Sequence, residues 1–291
     1  MDIKGILLAF LVVLIWGINF PIIKFGLEEL PPILFSALRF LIVAIPAVFF
    51  IPFPKTSIWN ILGVGVFLGV LKFGFLFYAM NADASAGISS LLLQAQVIFT
   101  IILSILIYKE VITKIQAIGI LVATIGFSFF FFTVNNSITT LGIILLLFAA
   151  FFWSISNIIM KRIKGVNLLH FMVWVCLVPP LPLFLMSYFF ESKDTLTILL
   201  STTQKTWFSL VYVSYLSTLI AFAIWGWLLK TYQASLVTPF ALLIPIVGIF
   251  SSSVLLGEKL SSTEIIGAIL ILSGLFITIF AKKIFNKIRN K

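Results

Sequence analysis

From Ala84 to Tyr108 the chain runs for 25 residues without a charged side chain, and between Lys114 and Lys161 it runs for 46. An ionised group at a bilayer centre is costly to insert, and about 20 apolar residues cross a hydrocarbon core of roughly 30 Å. Such runs therefore read as membrane spans, with the charges marking their ends. The whole chain agrees: 62% of its 291 residues are hydrophobic and 10% are charged, with a mean hydropathy of +1.25. A soluble domain is about 45–50% apolar and a quarter charged, so a water-soluble globule is excluded.

Lys4 and Lys24 bracket the first span. Residues 33–53, holding Arg39, form the second, 57–79, holding Lys72, the third, and 84–108 the fourth. The 46-residue run is too long for one crossing, and Asn135-Asn136-Ser137 supplies a polar turn that divides it into the fifth and sixth. Residues 168–190, 207–229, 236–256 and 265–281 bring the expected count to ten. The first span carries no small-residue cleavage pattern and reads as retained. With a cytoplasmic N-terminus, 13 of the 19 Lys and Arg fall on the inner side and 4 on the outer, leaving Arg39 and Lys72 within spans. The positive-inside rule then predicts that both termini are cytoplasmic, with 283–291 a basic tail. The net charge of +10 is thus read as topology signal and lipid contact, rather than as a nucleic-acid surface. A single cysteine, Cys176, leaves no intrachain disulfide and no thiolate metal site.

Self-comparison predicts an inverted repeat. Gly5, Trp16 and Lys24 recur as Gly142, Trp153 and Lys161 at an offset of 137, and Glu110, Gly119 and Gly126 recur as Glu258, Gly267 and Gly274 at an offset of 148. The longer polar loop at 191–206, against 52–56 in the first half, accounts for the difference. The expected fold is an all-α polytopic membrane protein of ten transmembrane helices in two five-helix repeats, 1–133 and 138–282. An odd number of spans per half turns the second copy upside down, as in alternating-access transporters whose substrate sits near the midplane.

Trp16-Gly17-Ile18-Asn19-Phe20-Pro21, Leu38-Arg39-Phe40 and the Glu110 and Glu258 turns resemble the EamA family of the drug/metabolite transporter superfamily. Leu92-Leu93-Gln94-Ala95-Gln96, Ile224-Trp225-Gly226 and Leu243-Ile244-Pro245-Ile246-Val247-Gly248 are most similar to bacterial O-acetylserine/cysteine exporters. The resemblance implies ten helices, a bacterial inner-membrane location and export of small metabolites. In the second half, Trp153-Ser154-Ile155-Ser156-Asn157 departs from the Trp-Gly-x-Asn pattern of the first.

Candidate substrate-binding residues follow from polarity inside spans. Trp16 and Asn19 share one helix face, as do Trp153 and Asn157. Asn19, Arg39 and Lys72 fall at similar depths near the outer third of their spans, with no acid in any of the three. A cationic layer of that kind suits a carboxylate. Arg39 or Lys72 would receive the α-carboxylate of an amino-acid-like substrate while Asn19 and Gln94 or Gln96 bond its polar atoms. The alternative is that Arg39 snorkels or bonds helix-end carbonyls. Gln94 and Gln96 are about 200° apart on a helix, so one of them faces a neighbouring helix instead. Trp16, Trp153, Trp225 and Tyr78 are candidates for an apolar cavity wall, although with 32 Phe in the chain ordinary packing also explains aromatic residues. Pro179 and Pro180 in the seventh span, and Pro239 and Pro245 in the ninth, are candidate gating points because they free backbone groups. Glu110 and Glu258 precede the fifth and tenth spans and suit helix capping, with proton coupling the other reading. The glycine pairs Gly119/Gly126 and Gly267/Gly274 suit close helix approach, within the chain or in a homodimer.

No Walker-type phosphate loop and no His-based metal cluster is present, so neither a nucleotide nor a metal cofactor is expected. One His, and acids confined to span ends, also argue against an intramembrane enzyme. The sequence reading is a bilayer-embedded exporter of small amino-acid metabolites such as cysteine or O-acetylserine. A drug or sugar-linked metabolite is the alternative cargo for the same fold, and exchange, facilitated diffusion and ion coupling all remain open.

Overall fold

The computed structural model describes residues 1–109, 112–133, 138–163, 165–192, 194–232 and 237–289. Eight helices are long and apolar enough to cross a bilayer: α1 (Ile3–Leu27), α3 (Ile58–Ala82), α4 (Ala86–Tyr108), α5 (Lys114–Phe132), α6 (Thr140–Arg162), α7 (Leu168–Phe190), α8 (Gln204–Leu228) and α10 (Ser262–Phe280). Two shorter apolar helices, α2 (Pro32–Val48) and α9 (Phe240–Leu256), complete ten crossings. Both termini lie at one end of the bundle, here the terminal end; the opposite one is the far end. The second span is shorter than the expected 33–53. It stops at Val48 and residues 49–57 turn, because Pro52 and Pro54 supply no N–H and clash with a preceding helical turn.

Local chemistry starts several helices. Asp2 accepts from the Gly5 N–H at 2.7 Å, Ser85 from Ile88 at 3.2 Å, Thr139 from Gly142 at 3.2 Å and Asn167 from Leu169 at 2.9 Å. Thr113 and Gln116 form a capping box at the start of α5. Each bond satisfies a backbone donor that has no partner within its helix.

Packing follows an exchange of halves. α1 lies against α9 and α8 as α6 lies against α4 and α3, while α2 with α7, α4 with α9 and α5 with α10 each pair with their own counterparts. This is the arrangement expected of two inverted five-helix repeats related by an axis in the membrane plane. The polarity is that of a membrane protein: Leu7, Leu14, Phe132, Phe250 and Ile269 are exposed, while Ser36, Ser89, Ser154, Ser214 and Ser252 are buried. Lipid solvates the first set, and small polar residues let helices approach within the bundle.

The closest such approach is α5 on α10. A Cβ added to Gly126 would meet the Ile271 nitrogen at 2.7 Å and the Gly267 carbonyl at 2.8 Å, and one added to Gly119 would meet the Gly274 carbonyl at 2.7 Å. Both glycine pairs are therefore used within the chain. Gly126→Leu is expected to destabilise the protein by about 1–3 kcal/mol or more through overpacking, whereas Ile269→Ala on the lipid face changes little. Unfolding in detergent measures both.

Candidate functional site

Five of the ten helices lose regular α geometry inside the bundle. α3 is π-helical over Gly65–Lys72 and α8 over Tyr212–Ile220, and these segments are counterparts at the 148-residue offset. α4 loosens at Leu93–Gln94, where Gln94 N–H bonds the Leu91 carbonyl at 3.0 Å and Val97 N–H bonds that of Gln94 at 3.0 Å. α7 breaks between Val175 and Pro180, with three-residue bonds from Leu177 to Trp174 and from Val178 to Val175. α9 opens with a 3₁₀ turn, Thr238–Leu243, before its α-helical part begins at Ile244. Proline accounts for α7, where Pro179 and Pro180 lack donors. Pro245 sits in the first turn of the α-helical part of α9, where a missing N–H is tolerated, and Pro239 lies within the 3₁₀ turn. The break in α7 and the π segment of α3 fit together: a Cβ at Gly69 would collide with the Pro179 ring.

Irregular backbone inside a bilayer must find donors within the protein, and the first half supplies them to the second. The Val213 carbonyl in the α8 π segment accepts from Arg39 Nη2 at 3.3 Å and from the Thr218 hydroxyl at 2.9 Å, and Arg39 Nη2 also donates to Thr218 Oγ1 at 2.9 Å. The Ser217 carbonyl accepts from the Trp16 indole Nε1 at 3.0 Å, and in the opposite direction the Tyr212 hydroxyl donates to the Ile15 carbonyl of α1 at 2.9 Å.

Arg39 is 2% exposed, and its Nε and Nη1 have no hydrogen-bond partner. Its guanidinium lies 4.1 Å from the centre of the Phe73 ring. Lys72, 5% exposed, is the last residue of the α3 π segment; its Nζ lies 3.3 Å from the centre of the same ring and 4.8 Å from that of Trp153. Two buried cations thus share one aromatic ring. Among the described residues no acidic side chain pairs with either, and Lys72 donates no hydrogen bond. Arg39 is hydrogen-bonded to α8, whereas Lys72 meets the faces of two rings.

Asn19 is 8% exposed and its Oδ1 accepts nothing. Gln94, 6% exposed, stands at the loosened turn of α4, with no side-chain bond to the following helix start. Counted from the far end, Asn19, Arg39, Lys72 and Gln94 lie about 10–15 Å deep at 1.5 Å per residue. Lys72 is deeper than the sequence reading, because α3 extends to Ala82 rather than 79. Gln96 faces a neighbour: its Oε1 accepts from Asn157 Nδ2 at 2.7 Å, and Asn157 also donates to Thr100 at 3.2 Å, joining α4 to α6. Trp225 packs on Trp16 at 5.4 Å, and Tyr78 is 49% exposed. Glu258 accepts from the Ala86 and Gly87 N–H groups at 2.8 and 2.9 Å, so it caps α4 rather than the helix that follows it. Its counterpart Glu110 lies outside the described residues.

A pair of unpaired cations among interrupted helices of an inverted-repeat bundle is the architecture of a membrane carrier, and comparison with known proteins agrees. The model of the EamA-like transporter family matches residues 3–132 and 140–280. The chain belongs to the EamA-like transporter family. This transporter is 39% identical over 284 residues to a probable amino-acid metabolite efflux pump of Salmonella typhimurium and 38% identical to one of Escherichia coli, in each case over 95% of both chains. A solved crystal structure shares the fold at a TM-score of 0.66 and 18% identity, covering 98% of this chain and 99% of the other.

Sequence reasoning did not single out Phe73, Thr218 or the Val213 carbonyl. Their role depends on a π segment that no residue pattern announces, although the hydroxyl of Thr218, five residues after Val213, was a usable signal. For this transporter, Thr218→Val is expected to cost about 2 kcal/mol, since it removes both a bond to a charged donor and a bond to a freed carbonyl. Ser217→Ala is expected to be near neutral, because Trp16 bonds the backbone there. Unfolding of the two variants in detergent provides the check.

Proposed function

We propose that this transporter exports small amino-acid metabolites such as cysteine or O-acetylserine, by alternating access, across a bacterial inner membrane with both termini in the cytoplasm. The orientation rests on the 13-to-4 distribution of basic residues between the two sides. The observation that carries the cargo class is the pair Arg39 and Lys72, buried on one Phe73 ring with no acid among the described residues beside them.

Two positive charges held together in a low dielectric repel each other and have lost hydration. A carboxylate arriving at Lys72 and at the free Nε and Nη1 of Arg39 relieves both costs, so anionic solutes are favoured over neutral lipophiles. The unpaired Asn19 Oδ1 can accept from an α-amino group, and Gln94 can serve the remaining polar atoms. Arg39 is already committed to α8 through Val213 and Thr218, which makes Lys72 the main partner of the carboxylate. A carboxylate that also reaches Arg39 couples its binding to the contact between α2 of one half and α8 of the other, the kind of contact that alternating access must rearrange. The similarity to two enterobacterial probable amino-acid metabolite efflux pumps supports the same cargo class.

Counterflow in proteoliposomes tests the proposal. Vesicles preloaded with cysteine or O-acetylserine should accumulate a trace of labelled cysteine. Lys72→Met should weaken apparent affinity about 10–100-fold, the loss expected for a hydrogen bond to a charged group. Arg39→Ala should abolish accumulation. Flat traces for every amino acid with folded protein would reject the cargo, and full activity in Lys72→Met would reject the site.

A further inference from the structure

Seven of the nine acidic residues lie at the far end, and most of them bond the opposite half of the molecule. Glu29, after α1, accepts from the Thr203 N–H and hydroxyl, both at 2.8 Å, at the start of α8. Glu191, ending α7, accepts from the Ile33 and Leu34 N–H groups of α2 at 2.7 and 3.0 Å and from the Ser187 hydroxyl at 2.7 Å. Asp83, ending α3, accepts from Thr139 N–H at 3.0 Å where α6 begins. Glu258, following α9, holds the first turn of α4 as described above. Two of these carboxylates run from the first half to the second and two run the other way. Glu28 adds an exposed ion pair to Lys205 at 2.5 Å, again between halves.

α4 and α6 add these contacts to their own caps, Ser85 and Thr139, whereas several other helix starts are held locally. α1, α3, α5 and α7 begin at the terminal end and are capped by their own Asp2, Ser57, Thr113 and Asn167. At the far end α10 is held by its own Glu264, which accepts from Ser261 N–H at 2.7 Å. A local cap moves with its helix and is indifferent to the arrangement of the halves. A carboxylate on one half bonded to a helix start on the other must let go when that end opens.

We infer that Glu29, Asp83, Glu191 and Glu258 form the outer gate of the transport cycle, a four-point latch closed in this structure, and that releasing substrate outward requires these bonds to break. Each is a charge-assisted bond at the positive end of a helix, stronger than a bond between neutral groups. Because all four carboxylates are at the exposed ends of helices, water can solvate them once the halves part, so the latch can open without stranding a charge in lipid. Lys24 sits beside it, bonding the Met80 carbonyl and lying in the field of both Asp83 and Glu258.

The inference rests on the alternating-access reading and the proposed orientation, but not on the cargo, and its test needs no substrate. A reporter cysteine replaces Asn19 in a Cys176→Ala background, and right-side-out vesicles receive a membrane-impermeant maleimide. With the acids intact, labelling should be slow. Glu191→Gln combined with Glu258→Gln should raise its rate about tenfold, while the unfolding temperature in detergent stays close to that of the parent. Glu264→Gln, which removes the charge from a cap lying within one half, should leave the rate unchanged. An unaltered rate in the double variant overturns the gate. So does an equal increase in Glu264→Gln, which would mean general fraying of the far end. If the Asn19 reporter does not fold, Gln94→Cys reports on the same layer, and flat counterflow with accelerated labelling would reject the cargo while leaving the gate standing.

Discussion

Hydrocarbon offers a backbone no hydrogen-bond partner, and the architecture follows from that constraint. Regular helices satisfy it alone, so the chain crosses as helices joined by polar or charged connections. Where a helix departs from regularity, another part of the protein has to supply the missing bond. The π segment of α8 is tolerated because Arg39 and Trp16 donate to its carbonyls, and the broken α7 is tolerated where it nests against Gly69. The irregular backbone therefore gathers between the halves, which is also where the proposed substrate site lies.

The same constraint gives the cations their meaning. An Arg or Lys within a span has to be hydrated, neutralised or stabilised by aromatic faces. Here Phe73 and Trp153 serve two charges whose compensation by acid is absent among the described residues. On the proposed function, the bundle has room, electrostatically, for one anion. At the far end the situation is reversed: carboxylates supply the negative charge and helix starts the positive, and each pairing crosses from one half to the other. In the proposed cycle the centre selects by charge, and the rim holds the halves together by charge.

Much of this was readable in the residues. Charge placement located the spans, the two offsets revealed the repeat, and the isolation of Arg39, Lys72 and Asn19 within apolar runs marked a polar layer. Pro179 and Pro180 indicated the interruption of α7. The π segments were not readable, since Gly65–Lys72 and Tyr212–Ile220 look like any apolar helix, and the division of labour between Gln94 and Gln96 depended on where Asn157 stands. Glu258 was legible as a cap, but not as the cap of α4, because a carboxylate's nearest helix in sequence is not its nearest in space.

Composition and order alone determined that this chain lives in a bilayer, how often it crosses and which side chains are too polar to face lipid, because the cost of transferring a residue into hydrocarbon depends mainly on its own chemistry and depth. Tertiary structure decided what those polar side chains do. Only docking of the inverted halves brings Arg39 to Val213 and Lys72 to Trp153 and carries four carboxylates to helix starts more than fifty residues away. A hydrogen bond or a cation on a ring needs a partner within a few ångströms, and such distances are set by packing rather than by local sequence.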